Sequence, residues 1–583
     1  MKRTLLFIAL LALAFQACKK EDIPPVPDPN PEVLNLGNLT TASAYGLVLD
    51  ESENPVAGAL VSLGNKTALT DENGVFVLKN AQVRENLTQV KVLKGGYFTG
   101  SRSFRPKYES NPYVRIKLLE RNTTGEFESS AGGAVQLADK VGIEFPADGI
   151  VNGSGQAYNG TVRVAVQYLD PTASDLDQIM PGNLLGFSEE DGESVLATFG
   201  MIAVDLYDPL GQKLQLAEGK PAKISISIPA ALQSNAPERI PLWYFDEDLG
   251  IWMEEGEAVL ENGQYVGEVS HFSFWNCDAP FPVIHMSGSV YWQDLGNPMG
   301  SVKIRLTVQN SSIAATGYSD LAGVFEGDIP SGEALFFDVF DLCGDLVYST
   351  EIGPFSADVV LDPIILTTGV FGFTPVSISG SLVDCDENPV SNGYVKIGNN
   401  AWITILPVDN SGAFSGLIQT CTGGDFEVVG VNLTDLVQSD IYTFPIAPEV
   451  VTGPIEACDI ELAEYVEFDL DGEPYLLTEN IYLGDSLPQQ SFAISASGVN
   501  QSNWLSFAVA GAGEGTFPAS QFFLGSNAGQ GIFATDPENI TVEVTEYSSV
   551  PGELVKGNFE GNFLDGQGNS HTISGSFKAI RDF

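Results

Sequence analysis

One pattern occurs three times along this 583-residue chain, and it restricts what each copy can fold into. A glycine-led apolar stretch is followed by Asn-Pro, then an alternating apolar run, then Asp-x-x-Gly-x-Phe. The first copy reads Gly46 to Asp50, Asn54-Pro55-Val56, Val61-Ser62-Leu63 and Asp71 to Phe76. The second reads Gly288, Asn297-Pro298, Val302-Lys303-Ile304 and Asp320 to Phe325. The third reads Gly380 to Asp384, Asn388-Pro389-Val390, Val395-Lys396-Ile397 and Asp409 to Phe414. Proline fixes φ and asparagine favours turn hydrogen bonding, so each Asn-Pro sets a turn. The glycine of Asp-x-x-Gly permits a positive φ before the next strand begins. Alternation such as Val302, Ile304, Leu306 marks half-buried strands. Each copy is therefore predicted to be a small β-sandwich.

The first copy, Tyr45 to Phe98, adds Thr70-Asp71-Glu72-Asn73-Gly74 and a closing Gly96-Tyr97. With these it resembles the carboxypeptidase regulatory-like domain, a transthyretin-like sandwich; the other two copies match more loosely. The resemblance implies an accessory module and brings no catalytic residues with it. No His-x-x-Glu zinc motif is present, and the chain has three histidines, His271, His285 and His571.

The N-terminus gives an expectation of address. Lys2 and Arg3 precede an apolar run from Leu5 to Phe15, too short for a membrane span of about 20 residues, and it reads as a signal-peptide core. It ends Phe15-Gln16-Ala17-Cys18, followed by Lys19-Lys20-Glu21-Asp22 and a tract with five prolines between Ile23 and Pro31. This resembles the lipobox and surface-export signal of Bacteroidetes-type outer-membrane lipoproteins. The resemblance implies diacylglycerol on Cys18, the membrane as a partner, and exposure at the cell surface. The proline tract predicts an extended spacer.

Charge and cysteines narrow the partners. Asp and Glu number 76 against 27 Lys and Arg, which argues against nucleic acid, since phosphate contacts require clustered cations. Beyond Cys18 there are Cys277, Cys343, Cys385, Cys421 and Cys458, with no Cys-x-x-Cys pair, so no metal site and no cofactor is expected. An exported chain can oxidise thiols, and a bridge among Cys385, Cys421 and Cys458 is favoured because one predicted domain holds all three.

Between the first two copies the pattern changes. Strands are expected at Thr161 to Leu169 and Ala222 to Pro229. They are followed by Ile240-Pro241-Leu242-Trp243-Tyr244-Phe245-Asp246, Gly250-Ile251-Trp252 and His271-Phe272-Ser273-Phe274-Trp275. The layout resembles extracellular sandwich domains, including self-cleaving relatives of ankyrin-type sandwiches. That likeness implies a second use for the tripeptide: Ser273 attacking the Phe272 carbonyl with His271 moving the proton. An inert strand is the expectation, because cleavage needs a strained peptide. Trp243, Trp252 and Trp275 are expected in the core rather than as a sugar platform. Asp469-Leu470-Asp471-Gly472 reads as a tight turn, lacking the spaced oxygens of a calcium loop.

The fold class expected is all-β: tandem transthyretin-like or Ig-like sandwiches with a C-terminal sandwich or small barrel. The divisions are 1–17 signal peptide, 18–40 lipidated tether, 41–120 first sandwich, 121–282 larger sandwich, 283–368 second sandwich, 369–464 third sandwich and 465–583 C-terminal domain. The function expected is non-enzymatic adhesion to a glycan or protein ligand at the outer membrane. Structural stalk and self-cleaving surface protein are the alternatives.

Overall fold

The computed structural model describes residues 32–580 except 72, 107–111, 210, 310–313, 343, 368–374, 400–401, 421–423, 435–436, 462–464, 472, 478, 487–490, 498–502, 510, 512, 527–531 and 548–553. It is all-β. Regular helix among these residues amounts to one α-turn, Leu176–Ile179, and 3-10 turns at Gln233–Asn235 and Pro537–Asn539. No helix among them is long and apolar enough to cross a membrane.

The repeated turns work as the sequence predicts. In each Asp-x-x-Gly step the aspartate Oδ1 accepts two backbone amides: Asn73 and Val75 for Asp71, Ala322 and Val324 for Asp320, Ser411 and Ala413 for Asp409. The glycines stand at φ +70°, +76° and +76°. A Cβ there would sit 2.4 Å from Val48 O, 2.4 Å from Val290 O and 2.6 Å from Leu382 O respectively, so the turn is pressed onto the first strand of its own sandwich. Each Asn-Pro proline bridges back to that strand, at Leu49–Pro55, Tyr291–Pro298 and Val383–Pro389.

The first sandwich faces a sheet of Val75–Arg84, Leu39–Leu49 and Tyr113–Lys117 against one of Lys66–Leu69, Leu60–Leu63, Thr88–Leu93 and Gly100–Phe104. Its first and last strands are parallel neighbours, Tyr45 opposite Tyr113. The other copies repeat this: Val290 lies opposite Ile364 and Ser377 opposite Glu449, both parallel.

The units share structure rather than hanging as beads. One strand, Phe274–Trp292, ends the middle domain and begins the second sandwich, so the expected division at 282/283 falls inside a continuous strand, at the point where its partner changes. The first sandwich also reaches the third. The Tyr394 hydroxyl donates to Asp71, and Lys79 Nζ donates to Val408 O at 2.6 Å and Ser391 O at 2.8 Å. Tyr45, Leu47, Val75, Tyr394, Ile405 and Val429 form one apolar cluster across that junction.

The C-terminal domain is a ten-stranded sheet around one core containing Phe468, Phe492, Phe507, Phe559 and Phe577. Its first strand, Tyr465–Leu470, pairs with its last, Ser570–Ile580. Leu470 opposes Glu473, so Asp471 sits in the tight turn expected there, at φ +57°. Its carboxylate lies 2.6 Å from His571 Nδ1.

Candidate functional site

A cleft of about 910 Å³ opens where the first sandwich, the middle domain and the second sandwich meet. Its wall from the first sandwich is the edge strand Gly100–Phe104. Alternation turns Ser101 and Ser103 into the junction, where the Gly182 amide donates to Ser101 Oγ at 3.0 Å and Ser103 Oγ donates to Gly250 O at 2.6 Å. Arg102, between them, donates to Gly182 O at 2.6 Å and lines the cleft.

The floor is a buried ion network drawn from all three units. Arg105 Nε lies 2.9 Å from Asp328 Oδ2 of the second sandwich, and its Nη2 lies 2.8 Å from Glu193 Oε2 of the middle domain. His285 approaches Asp328 at 3.4 Å and Glu326 at 3.6 Å. Burial opposes charge on His285, yet the hydrogen bonds and charges of Asp328 and Glu326 prevail and raise its pKa. Burial opposes charge on Asp328 too, but His285 and Arg105 prevail and lower its pKa.

The turn Leu176–Ile179 supplies another wall. Arg115 Nε donates to Gln178 Oε1 at 3.3 Å, and Lys117 Nζ donates to Asp175 Oδ2 at 2.7 Å. Burial raises the pKa of Asp177 there, against the pull of Arg102 and Lys303. Tyr113 links Tyr45 to Tyr318, with ring centroids 5.4 and 5.8 Å away.

The second sandwich contributes two strands, Lys303–Val308 and Ala314–Tyr318. Lys303 opposes Tyr318 and Arg305 opposes Thr316, so these four side chains share the sheet's outer face. Among the described residues neither the Lys303 nor the Arg305 side chain makes a hydrogen bond or a close ion pair, though Lys303 is near enough to Asp177 to act on its charge. On the inner face the cleft reaches Leu306, Phe325, Ile329 and Leu335 of the sandwich core. The cavity is thus lined by mixed charge, five Arg and Lys beside Asp177, Asp320, Glu326 and Asp328, with an apolar inner side. It can hold a ligand through charge and burial.

The residues singled out by sequence lie elsewhere. The His271 ring packs edge-on against Tyr244, centroids 4.6 Å apart, and 5.2 Å from Trp275; burial lowers its pKa. Its Nε2 faces Glu255 at 3.8 Å, whereas Ser273 Oγ donates to Phe274 O at 3.1 Å. The Phe272 amide and carbonyl both bond the Gln215 side chain, at 2.7 and 3.0 Å. Neither Phe272 nor Ser273 has a positive φ. Trp243, Trp252 and Trp275 are buried, and their ring N–H groups donate to the carbonyls of Asp278, Asn183 and His271.

Cys277 is buried, and desolvation pushes its thiol pKa up. Cys385 Sγ lies 3.8 Å from Cys458 O. Cys18, Cys343 and Cys421 lie outside the described residues. Sequence reasoning missed Arg102, Arg105 and Arg115 because their spacing, though close to other cations, does not say which neighbouring unit each will face. Lys303-Ile304-Arg305 was legible, since alternation in a strand places both cations on one face.

No family model matches the chain. It is similar to cartilage intermediate layer protein 1 of Homo sapiens, 28% identical over 231 residues, which cover 36% of this chain and 18% of that protein. Cartilage intermediate layer protein 2 of Mus musculus is 28% identical over 229 residues, 37% of this chain and 19% of that one. The chain thus spans less than a fifth of these relatives. Among solved structures, shaft pilin SpaA from Lactobacillus rhamnosus GG aligns at 12% identity and TM-score 0.17, over 30% of this chain and 98% of the pilin. A DUF3823 family protein from Bacteroides ovatus aligns at 10% identity and TM-score 0.12, over 35% and 98%.

Proposed function

We propose that the chain is an exported, non-enzymatic surface protein, acylated at Cys18 and held on the outer membrane, whose central cleft takes a glycan or protein ligand. The observation that carries this reading is the cleft. Three units close around a space within the size range of ligand sites, and five Arg and Lys stand there beside four carboxylates, a far higher cation share than in the chain at large, whose net charge is −49. The likeness to cartilage intermediate layer proteins, named for a tissue layer, suits a structural or adhesive role. A purely structural stalk is the second reading, favoured by the strand shared between the middle domain and second sandwich.

Acylation is tested in cells that secrete the full chain. The expected result is a membrane-bound product that takes up labelled fatty acid, and a larger, unprocessed precursor under globomycin. A Cys18→Ala chain that stays equally membrane-bound overturns the anchor. Binding is tested with the tether-free mature protein on glycan and protein arrays. Signal that survives charge reversal at both Lys303 and Arg305 removes the cleft from the reading. The non-enzymatic assignment predicts one full-length band for the wild type and for Ser273→Ala after prolonged incubation.

A further inference from the structure

We infer that the cleft receives an extended acidic polypeptide segment, which adds as a strand along Ala314–Tyr318. This deepens, and rests on, the reading of the cleft as the recognition site. The strand Ala314–Tyr318 is the last in its sheet, pairing on one side with Lys303–Val308; among the described residues no strand pairs with its other edge. All five of its residues line the cleft. A sheet edge of this kind offers backbone donors and acceptors at strand spacing, and an extended peptide satisfies them.

The two faces of that edge specify the side chains. On the outer face Lys303 and Arg305, two residues apart, stand beside Tyr318 and Thr316; Lys303 faces Asp177 across the cleft, and the Arg305 side chain makes no hydrogen bond or ion pair among the described residues. An added strand would lie two strand spacings, about 9.5 Å, from Lys303 and Arg305, so carboxylates at its alternate positions come within reach of these long side chains as they extend over Thr316 and Tyr318. On the inner face the sandwich is open. A Cβ built on Gly317, or on Gly327 of the facing sheet, meets nothing within 4 Å, and beyond lie Leu306, Phe325 and Leu335. The intervening residues of the added strand would fill this slot. The ligand is therefore acidic and apolar in alternation, about five residues long at roughly 3.3 Å per residue. A glycan can meet the cations but cannot pair with the strand edge, which is why a peptide is favoured.

The test uses the full mature protein and a fluorescein-labelled, end-blocked peptide alternating glutamate and valine, read by anisotropy and by hydrogen exchange. Saturable binding is expected, weakening with added salt, with slowed exchange in Ala314–Tyr318. The double variant Lys303→Glu/Arg305→Glu should weaken binding at least tenfold, and so should Ala315→Trp, which plugs the slot. Circular dichroism and melting temperature check that both variants fold. Equal binding of a peptide with its glutamates grouped at one end overturns the inference, as does binding that leaves exchange at Ala314–Tyr318 unchanged. Oligogalacturonate binding at Arg305 without peptide binding overturns it while sparing the cleft. If neither probe nor any array ligand engages the cleft, the proposed function falls as well.

Discussion

Arg105 holds two carboxylates brought to it by different units, and its side chain is as buried as that of Asp328. Removing one partner of a buried pair strands the other charge away from water, so Arg105→Met should cost about 3–5 kcal/mol in chemical denaturation. Arg163, paired with Glu126 at the surface, should cost less than about 1 kcal/mol by the same substitution. The network also fixes a pH dependence. His285 is raised above its ordinary value of about 6.5, so its contribution is full below that value and is lost as pH rises through the folded pKa. Asp328 is depressed below its ordinary value of about 3.9, so its contribution is present above that value and is lost as pH falls through the folded pKa. The junction should be firmest at roughly pH 4–6.5. Melting temperature against pH should decline on the alkaline side in the wild type and decline less in His285→Gln.

The turns between strands are where sequence and structure agree most closely, because each rests on local chemistry. An aspartate two and four residues before free amides and a glycine between them suffices to define the loop, wherever the chain later goes. Gly74→Ala combines a φ of +70° with a Cβ 2.4 Å from Val48 O, whereas Gly211, at φ +86°, faces open space. Alanine at 74 should therefore cost about 3 kcal/mol or more, and alanine at 211 about 1–2, measured as shifts in denaturation midpoint. Strand ends supply another prediction. The parallel ladder of the third sandwich ends at Val383 opposite Glu456, and two residues further along each strand come Cys385 and Cys458. In an oxidising compartment the two thiols should pass two electrons and two protons to a disulfide oxidant and join. Closing that 73-residue separation contributes about 4 kcal/mol in the chain-entropy description. Mass spectrometry should find the 385–458 cross-link, and free Cys385 in the unreduced protein counts against it.

The arrangement of the whole molecule was not legible in the same way. Alternation and turn signals say which face of a strand is buried, but not which foreign surface buries it. Tyr45, Leu47 and Val75 read as one face of a sheet, yet nothing near them in sequence announces Tyr394 or Val429 as their cover. The cleft stayed hidden for that reason, its walls coming from segments some 200 residues apart, Arg102 to Arg305. Loss of Tyr394→Phe's hydroxyl should accordingly loosen the first sandwich from the third without unfolding either, seen as new protease sites at their junction. The parallel pairing of first and last strands in each of the three repeated sandwiches has a mechanical consequence. Tension entering at one terminus and leaving at the other pulls the two strands lengthwise past each other, so all the hydrogen bonds of a ladder such as Ser377–Val383 with Glu449–Glu456 must break together instead of one at a time. Anchored and loaded as proposed, the chain would resist like a lap joint, and force spectroscopy should record a few high, well-separated rupture peaks.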